Sequence, residues 1–214
     1  MSSFDLALNL KKFKSCRDET VPRQVIGRIL EAGRHAPSPG NVQTLEFIVV
    51  ESDSALEKLA EVAGDSRIKE SSFSVIVISD INRMREKVGS SNARSSSMAE
   101  AAFAVENMRL VANENELASV LVSGFSPEEI GRKFDIPQDK TALMAASFGY
   151  TDDPVITGHK FSLNQICYYD TYGSQIKSAF DSSEWRGVKE EKRVYDKKAK
   201  GLKDKLKRKI RKVL

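Results

Sequence analysis

Histidine and cysteine are scarce in this chain, with two of each among its 214 residues. His35 and His159 lie far apart and neither has a metal-ligand spacing, so we expect no metal site. Cys16 and Cys167 form no CxxC pair, which is typical of a reduced, cytoplasmic protein. No Ser-His-Asp or Cys-His arrangement supports a hydrolase. We therefore expect both cysteines to be packing residues and assign no catalytic side chain.

Long apolar runs and nucleotide-binding fingerprints are also missing. The hydrophobic stretches are short and interrupted, so we expect no transmembrane helix, and the first residues do not resemble a signal peptide. The sequence contains neither GxGxxG nor a Walker A motif, which argues against a classical dinucleotide or P-loop site. With 40% hydrophobic and 30% charged residues, the composition is that of a globular protein with a sizeable core.

Positive charge is concentrated at the carboxyl end of the sequence. Residues 186–214 carry 14 Lys or Arg and 4 Asp or Glu, a net charge of +10, whereas the remainder has a net charge of −6. Apolar residues recur at steps of three and four, which predicts an amphipathic helix. The members of this stripe are Tyr195, Ala199, Leu202, Leu206, Ile210 and Val213. Such a tail could pack on a partner subunit, lie on an anionic membrane or contact nucleic acid, and the stripe favours packing on protein.

Hydrophobic periodicity predicts alternating helices and strands. The predicted helices begin at Val21, at Asp53 or Ser54, at Met98 and at Ser126, and they end near Gly33, Gly64, Asn113 and Phe134. The predicted strands cover 45–51, 75–78, 117–122 and 142–150, and 163–169 is a further extended segment. Residues 80–97 are polar and predict a mobile loop or a short helix that could form a lid. The pattern predicts an α+β sandwich with a small mixed sheet covered by helices.

The turn between the first long helix and the first strand is the most informative segment. Residues 35–43 contain two prolines, a serine, a glycine and an asparagine, and a buried strand follows. Such a turn exposes backbone N–H groups and short hydrogen-bonding side chains at a sheet edge, which suits a flat cofactor ring with polar edges. An ordinary helix-to-strand connection is the alternative interpretation.

Four segments share their order and spacing with one flavoprotein family. They are Ala36-Pro-Ser-Pro-Gly-Asn-Val-Gln43 with the strand Phe47-Ile-Val-Val50, Ala104-Val-Glu-Asn-Met-Arg-Leu-Val-Ala112, Leu121-Val-Ser-Gly-Phe-Ser-Pro-Glu-Glu129, and Phe148-Gly-Tyr150. Together they resemble the A-P-S-x-x-N-x-Q turn, the A-x-x-N-x-x-L-x-A helix, the Gly-Phe segment and the L-G-Y strand end of the FMN-dependent nitroreductase family. The resemblance covers most of residues 6–170.

The resemblance implies a three-layer α/β/α fold with FMN bound at a homodimer interface. It places a nitroreductase-like domain at residues 1–180 and leaves 181–214 as a basic helical tail. By resemblance, the cofactor-binding residues are Pro37, Ser38, Pro39, Asn41 and Gln43 in the turn, Ser123 and Gly124 near flavin N5, Arg67 near the pyrimidine, and Lys11, Lys12, Lys14 and Lys160 for the phosphate. NAD(P)H would supply hydride to the flavin, and a nitroaromatic, a quinone or a similar electron-poor acceptor would then be reduced in a ping-pong reaction.

The sequence departs from the family pattern at the phosphate end. Leu10-Lys-Lys-Phe-Lys14 stands where the family usually has an Arg-Arg-Ser run, and lysine binds phosphate as a point charge rather than through a fork. A solvated charged face is the alternative for these lysines. Thr44-Leu45 and Glu116 also replace a typical Pro-Trp and a typical glycine. A non-catalytic flavin-binding or interaction protein, or a divergent member with other flavin chemistry, therefore remains an alternative.

Overall fold

The computed structural model describes residues 2–155, 158 and 160–174. Its helices are α1 (Ser3–Leu8), α2 (Arg23–Arg34), α3 (Asp53–Ala63), α4 (Ile81–Val88), α5 (Ser90–Glu114), α6 (Pro127–Lys133) and α7 (Leu163–Ile166). Its strands are β1 (Leu45–Val50), β2 (Phe73–Ser79), β3 (Ala118–Val122) and β4 (Thr141–Gly149), and short 3-10 turns cover Pro39–Asn41 and Ser66–Glu70. The chain divides into two compact units, Met1–Thr157 and Gly158–Leu214, and α7 belongs to the second.

The four strands form one sheet in the order β1-β2-β4-β3. Each hydrogen-bonded pair within the described residues is antiparallel, so the prediction of a mixed sheet was wrong in this respect. The physical reason is the position of β4. The helices between β2 and β3 return the chain so that these two strands run in the same direction, but β4 is inserted between them and runs against both. The α+β class is confirmed.

Each face of the sheet carries an apolar core covered by helices. Residues of β2 alternate between the two cores, with Phe73, Val75 and Val77 in one and Ile76 and Ile78 in the other. This is the two-residue period of a strand that is buried on both faces. The first core packs against α2 and α5, and the second packs against α3 and α6. The predicted three-layer arrangement is therefore confirmed.

Helix α5 is the long central helix, and its small residues allow close packing. Ala101 and Ala104 are fully buried, as the Ala-rich composition predicts. The contact with α2 is especially tight at Gly33, where a Cβ atom would lie 2.1 Å from Cε and 3.0 Å from Cγ of the buried Met108. Gly33 therefore serves as a contact surface between two helices.

A pair of glycine substitutions in α2 tests this packing. We expect Gly33→Ala to destabilise the protein by about 1–2 kcal/mol, because overpacking the Met108 contact outweighs the gain in helix propensity. Gly27→Ala lies in the same helix with no atom within 4 Å of the new Cβ, and we expect a gain of about 0.5–1 kcal/mol. Denaturant unfolding measures both variants. Equal shifts in the same direction would contradict the packing argument.

Residues 80–97 are helical rather than a loop. They form α4 and the first turns of α5, and Gly89, with φ of 81°, separates the two helices. Asp80 caps α4 by accepting a hydrogen bond from the Arg83 N–H at 3.0 Å. The possibility of a lid did not take into account Met84 and Ala93. Both residues are buried and hold this polar segment against the fold.

Two other expectations concern the carboxyl part of the chain. Residues 163–166 form the short helix α7, so the expected extended segment was wrong over these residues; Ser162 closes its first turn with a capping box. The expected amphipathic tail at 181–214 lies outside the described residues, and the proposed domain boundary at 180 stays a prediction. No helix that the structure describes has the length and apolar character needed to cross a membrane.

Candidate functional site

The segment from Pro37 to Thr44, which we name the polar turn, is organised by its own side chains. The Gln43 N–H donates to Ser38 Oγ at 3.1 Å, and the Asn41 N–H donates to the Ser38 carbonyl oxygen at 3.0 Å. The Gln43 amide Nε2 donates to Asn41 Oδ1 at 3.0 Å. Ser38 is half-buried beneath the turn, whereas Pro37, Pro39, Asn41 and Gln43 are exposed. The turn therefore presents a preorganised polar surface.

The backbone of the polar turn is held in an uncommon conformation. Gly40, Asn41 and Gln43 have φ values of 58°, 57° and 53°, all in the left-handed region. Asparagine tolerates this region better than most residues do, but glutamine does not share that preference. At Gly40 a Cβ atom would also lie 2.1 Å from Cε of Lys87 in α4. The left-handed φ therefore favours glycine at position 40, whereas the exposed Lys87 side chain could move away from an added Cβ.

Three residues anchor the end of the polar turn through four hydrogen bonds. The Thr44 N–H and hydroxyl donate to Glu100 Oε1 and Oε2 in α5, at 3.2 and 2.7 Å. The Asp80 N–H donates to the Thr44 carbonyl oxygen at 3.0 Å, and Arg83 Nη1 donates to the Gln43 carbonyl oxygen at 3.1 Å. Sequence reasoning missed these anchors. One feature of the sequence could have identified Glu100 as an anchor: it is an acidic residue on the buried stripe of an Ala-rich helix.

The second candidate element follows β3. Ser123 and Gly124 are exposed between the end of β3 and the start of α6. An added Cβ at Gly124 would meet no atom within 4 Å, and the φ of Gly124 lies outside the left-handed region. Neither conformation nor a described neighbour therefore requires glycine at this position. The space in front of Gly124 is open to a ligand.

The strand register places these two elements at the same end of the sheet. Leu45 of β1 pairs with Ser79 of β2, which pairs with Thr141 of β4, and Val122 of β3 pairs with Ala145 of β4. However, β1 and β3 are the two outer strands of the described sheet, and three strand spacings separate them by roughly 14 Å. The fold of this unit keeps the polar turn and Gly124 on opposite edges of the sheet.

The stretch Leu10-Lys-Lys-Phe-Lys14, which we name the lysine segment, runs beside β3. The Ser119 N–H donates to the Lys11 carbonyl oxygen at 3.0 Å, and the Lys11 N–H donates to Asn113 Oδ1 at 3.2 Å. Lys12 and Lys14 are exposed and Lys11 is half-buried. None of the three ammonium groups forms an ion pair within the described part of the chain. Within that part of the chain, three positive charges are therefore without a carboxylate partner and could attract an anion.

An aspartate binds the backbone at the carboxyl end of the lysine segment. Asp153 accepts hydrogen bonds from the backbone N–H groups of Lys14 at 2.7 Å and Ser15 at 3.4 Å. The bond from the Lys14 N–H is the main reason that the pKa of Asp153 lies below its usual value, and the Lys14 charge adds to this effect. The backbone donors of Lys14 and Ser15 are thus already satisfied within the protein, so an anion here would rely on side chains.

The remaining two candidate residues, Arg67 and Lys160, differ in their surroundings. Arg67 lies in the 3-10 turn before β2, and its guanidinium donates to both carboxylate oxygens of Asp65 at 2.9 and 2.6 Å. This pairing raises the pKa of Arg67 and lowers that of Asp65. Arg67 is therefore committed to a neighbour in this structure. Lys160 is an exposed residue of the second unit.

Cys16 is a packing residue next to Gly149. A Cβ atom at Gly149 would lie 2.4 Å from Cys16 Sγ, which shows how closely the two residues approach. Burial, followed by the nearby Asp153 charge, raises the pKa of the Cys16 thiol to about 12. The thiolate is the nucleophilic form, so a raised pKa argues against a nucleophilic role. No cluster of possible metal ligands occurs among the described residues.

Alkylation rates test the state of Cys16. At about pH 8 we expect native Cys16 to react with iodoacetamide at least roughly 100-fold more slowly than in denatured protein, since the raised pKa depletes the thiolate. Because the unfolded thiol ionises at lower pH than the folded one, this group should also destabilise the fold as pH rises above 9.0, its ordinary pKa. Peptide mass spectrometry would locate the label. Equal rates in both states would contradict this prediction.

Comparison with known proteins places this geometry in a family. The nitroreductase family model matches residues 13–72 and 64–150. A nitroreductase family protein from Clostridium difficile is 23% identical, with a TM-score of 0.70 over 80% of this chain and 99% of that one. NfrA2 of B. megaterium is 19% identical, with a TM-score of 0.74 over 83% of this chain and 78% of that one.

A third solved structure, from Parabacteroides distasonis, is provisionally named an NADH dehydrogenase/NAD(P)H nitroreductase. It is 24% identical and has a TM-score of 0.68 over 78% of this chain and 97% of that one. A search of curated proteins gave no match. The family model covers more than half of the sequence, and the solved structures share its fold. The chain therefore belongs to the nitroreductase family, and its general function is that of an oxidoreductase.

Proposed function

We propose that this protein is an FMN-dependent NAD(P)H oxidoreductase that reduces nitroaromatics, quinones or similar electron-poor acceptors. The observation that carries the proposal is the position of Gly124, an exposed glycine directly after β3, at the same end of the sheet as the polar turn and with open space in front of its main chain. A flat ligand that approaches the main chain closely would explain why this position has no side chain. Family membership supports the same interpretation, since it implies a flavin and a nicotinamide partner.

The chemical character of the candidate residues fits FMN. The polar turn offers exposed amide groups and two proline rings, which suit the polar edge and apolar face of a flavin ring. Lys11, Lys12 and Lys14, which have no ion-pair partner among the described residues, supply positive charge for a phosphate. Arg67 fits less well, because Asp65 occupies its guanidinium in this structure. We therefore place phosphate binding on the lysines, and Arg67 would have to leave Asp65 to contact the flavin pyrimidine.

A homodimer is part of the proposal. The polar turn and Gly124 lie on opposite edges of the sheet, so a single unit does not bring them to one ligand. A second copy could place its polar turn next to the first copy's Gly124 and complete the site. Family members are typically dimeric, which supports this arrangement.

In this arrangement the cofactor would carry out the electron transfer, and the protein would bind and orient it. FMN, when bound, would supply two-electron transfer from NAD(P)H to the acceptor in a ping-pong sequence. The chain's own residues would bind and orient: the polar turn holds the ring edge, Gly124 admits the ring, and the lysines hold the phosphate and add positive charge nearby. No side chain needs to act as a nucleophile. The free cysteines Cys16 and Cys167 agree with the cytoplasmic location that we include in the proposal.

The visible absorbance spectrum of the purified protein tests the cofactor. We expect flavin bands at about 450 and 370 nm and release of FMN on denaturation. If the protein is isolated as the apo form, added FMN should restore these bands and quench the free flavin's fluorescence. A protein that is colourless and also refuses added FMN would contradict the proposal and would favour a non-catalytic interaction protein.

A further inference from the structure

Glu100 is a buried carboxylate that serves the polar turn. Its side chain is 3% exposed and lies on the face of α5 that also buries Ser97, Ala101 and Ala104. Burying a charge is unfavourable unless hydrogen bonds compensate for the lost water. Among the described residues, Thr44 supplies both hydrogen bonds, since its N–H and hydroxyl groups each donate to one carboxylate oxygen.

The hydroxyl network around Thr44 has a defined direction. The Thr44 hydroxyl donates to Glu100 Oε2, and a hydroxyl has a single proton to donate. The Ser79 hydroxyl, 3.0 Å from Thr44 Oγ1, must then donate to that oxygen. Thr44 and Ser79 are 1% and 0% exposed, so this chain is closed off from water. The network fixes the position and rotamer of Thr44.

Thr44 is the residue at which the strained turn meets the sheet. Gln43 precedes it with φ of 53°, and Asn41 lies two residues further back with φ of 57°. Such conformations persist only where the surrounding structure over-determines them. The anchors from Asp80 and Arg83 hold backbone carbonyl oxygens from the side of α4, whereas Glu100 alone holds Thr44 by both its amide and its side chain.

We propose that Glu100 is a positioning residue for the flavin, acting through Thr44 on the shape of the polar turn. A buried ionic hydrogen-bond network is weak evidence for stability in itself, because apolar residues of similar volume often do as well. Its value here is conformational: it holds the left-handed residues that present the Asn41 and Gln43 amides. This inference rests on the proposed FMN function.

The test compares two variants of Thr44 and one variant of Glu100. Thr44→Val keeps the branched shape and the backbone N–H but removes the hydroxyl, and we expect the FMN dissociation constant to rise at least about tenfold. Thr44→Ser restores the hydroxyl and should return FMN affinity to within about threefold of wild type. Glu100→Ala should weaken FMN binding at least as much as Thr44→Val. Fluorescence titration of the apo proteins measures each constant.

A control of matched stability separates positioning from general destabilisation. Leu56→Ala makes a cavity in the second core, on α3, and lowers the stability of the apo protein without touching the turn. We expect its FMN affinity to stay within about twofold of wild type at a temperature where the variant is folded. Hydrogen–deuterium exchange of the apo proteins should show faster exchange over 40–44 in Thr44→Val and not in Leu56→Ala.

The outcomes distinguish the inference from the function on which it rests. Wild-type FMN binding that is unchanged in Thr44→Val and Glu100→Ala would overturn the positioning role and leave the proposed function standing. Weakening by Leu56→Ala equal to that by Thr44→Val would also overturn it, since stability would then explain the effect. Failure of the wild type to bind FMN would overturn both the function and the inference.

Discussion

Gly124→Val is expected to abolish FMN binding while leaving the fold intact. The new side chain has free space in the apo protein, because no atom lies within 4 Å of the Cβ position and the backbone is not left-handed. It would occupy the space through which a flavin ring approaches the main chain. We expect the FMN dissociation constant to rise by about 100-fold or more, equivalent to ~2.7 kcal/mol. Fluorescence titration with FMN measures this change.

The control for this substitution is a glycine in the neighbouring helix. Gly131 in α6 also has no atom within 4 Å of an added Cβ, and it belongs to none of the candidate elements. Gly131→Ala should leave FMN affinity unchanged, and Gly124→Val should change the apo melting temperature by no more than a few degrees. A Gly124→Val protein that binds FMN like the wild type would remove the main support for the proposed site.

Replacing the three lysines by glutamine is expected to reduce FMN affinity about 30-fold, with little effect on riboflavin. Lys11, Lys12 and Lys14 carry charges without ion-pair partners in the described structure, and riboflavin has the same ring as FMN but lacks the phosphate. The ratio of the two affinities therefore isolates the phosphate contact. The wild-type preference for FMN should also fall as salt rises, because exposed charges are screened over about 8–10 Å.

A charge-matched triple variant controls for the loss of net positive charge. Arg28, Lys58 and Lys133 are exposed and lie on α2, α3 and α6, outside the candidate site. Changing them to glutamine removes the same charge and should leave the preference for FMN over riboflavin unchanged. If the lysine variant loses FMN and riboflavin equally, these residues support the fold and do not contact phosphate.

Much of the fold was predictable because burial leaves a clear pattern in the sequence. The run at 75–78 is apolar at every position, and β2 is indeed buried on both faces. The antiparallel sheet was not predictable in the same way. Helical connections set the relative direction of β2 and β3, but local sequence carries no signal that β4 is inserted between them. Strand order depends on contacts that are distant in the chain.

In the candidate site, too, local features were predictable from the sequence and distant contacts were not. The polar turn was recognisable from its prolines, serine, glycine and asparagine, and its left-handed residues agree with that composition. Its anchors were not recognisable. Glu100 lies 56 residues from Thr44, and only the folded chain brings the two together. For 80–97 the sequence left a loop and a short helix as alternatives, and packing of Met84 and Ala93 on the fold decides for the helix.

Anaerobic titration of the FMN-loaded protein with NADH, and separately with NADPH, tests the proposed activity most directly. We expect the absorbance at about 450 nm to bleach with roughly one equivalent of at least one nicotinamide, and to return when a quinone or nitroaromatic is added. Return of colour after the oxidised nicotinamide is removed would establish the ping-pong order. FMN that stays oxidised with both nicotinamides would contradict the reductase account, even if the cofactor binds tightly.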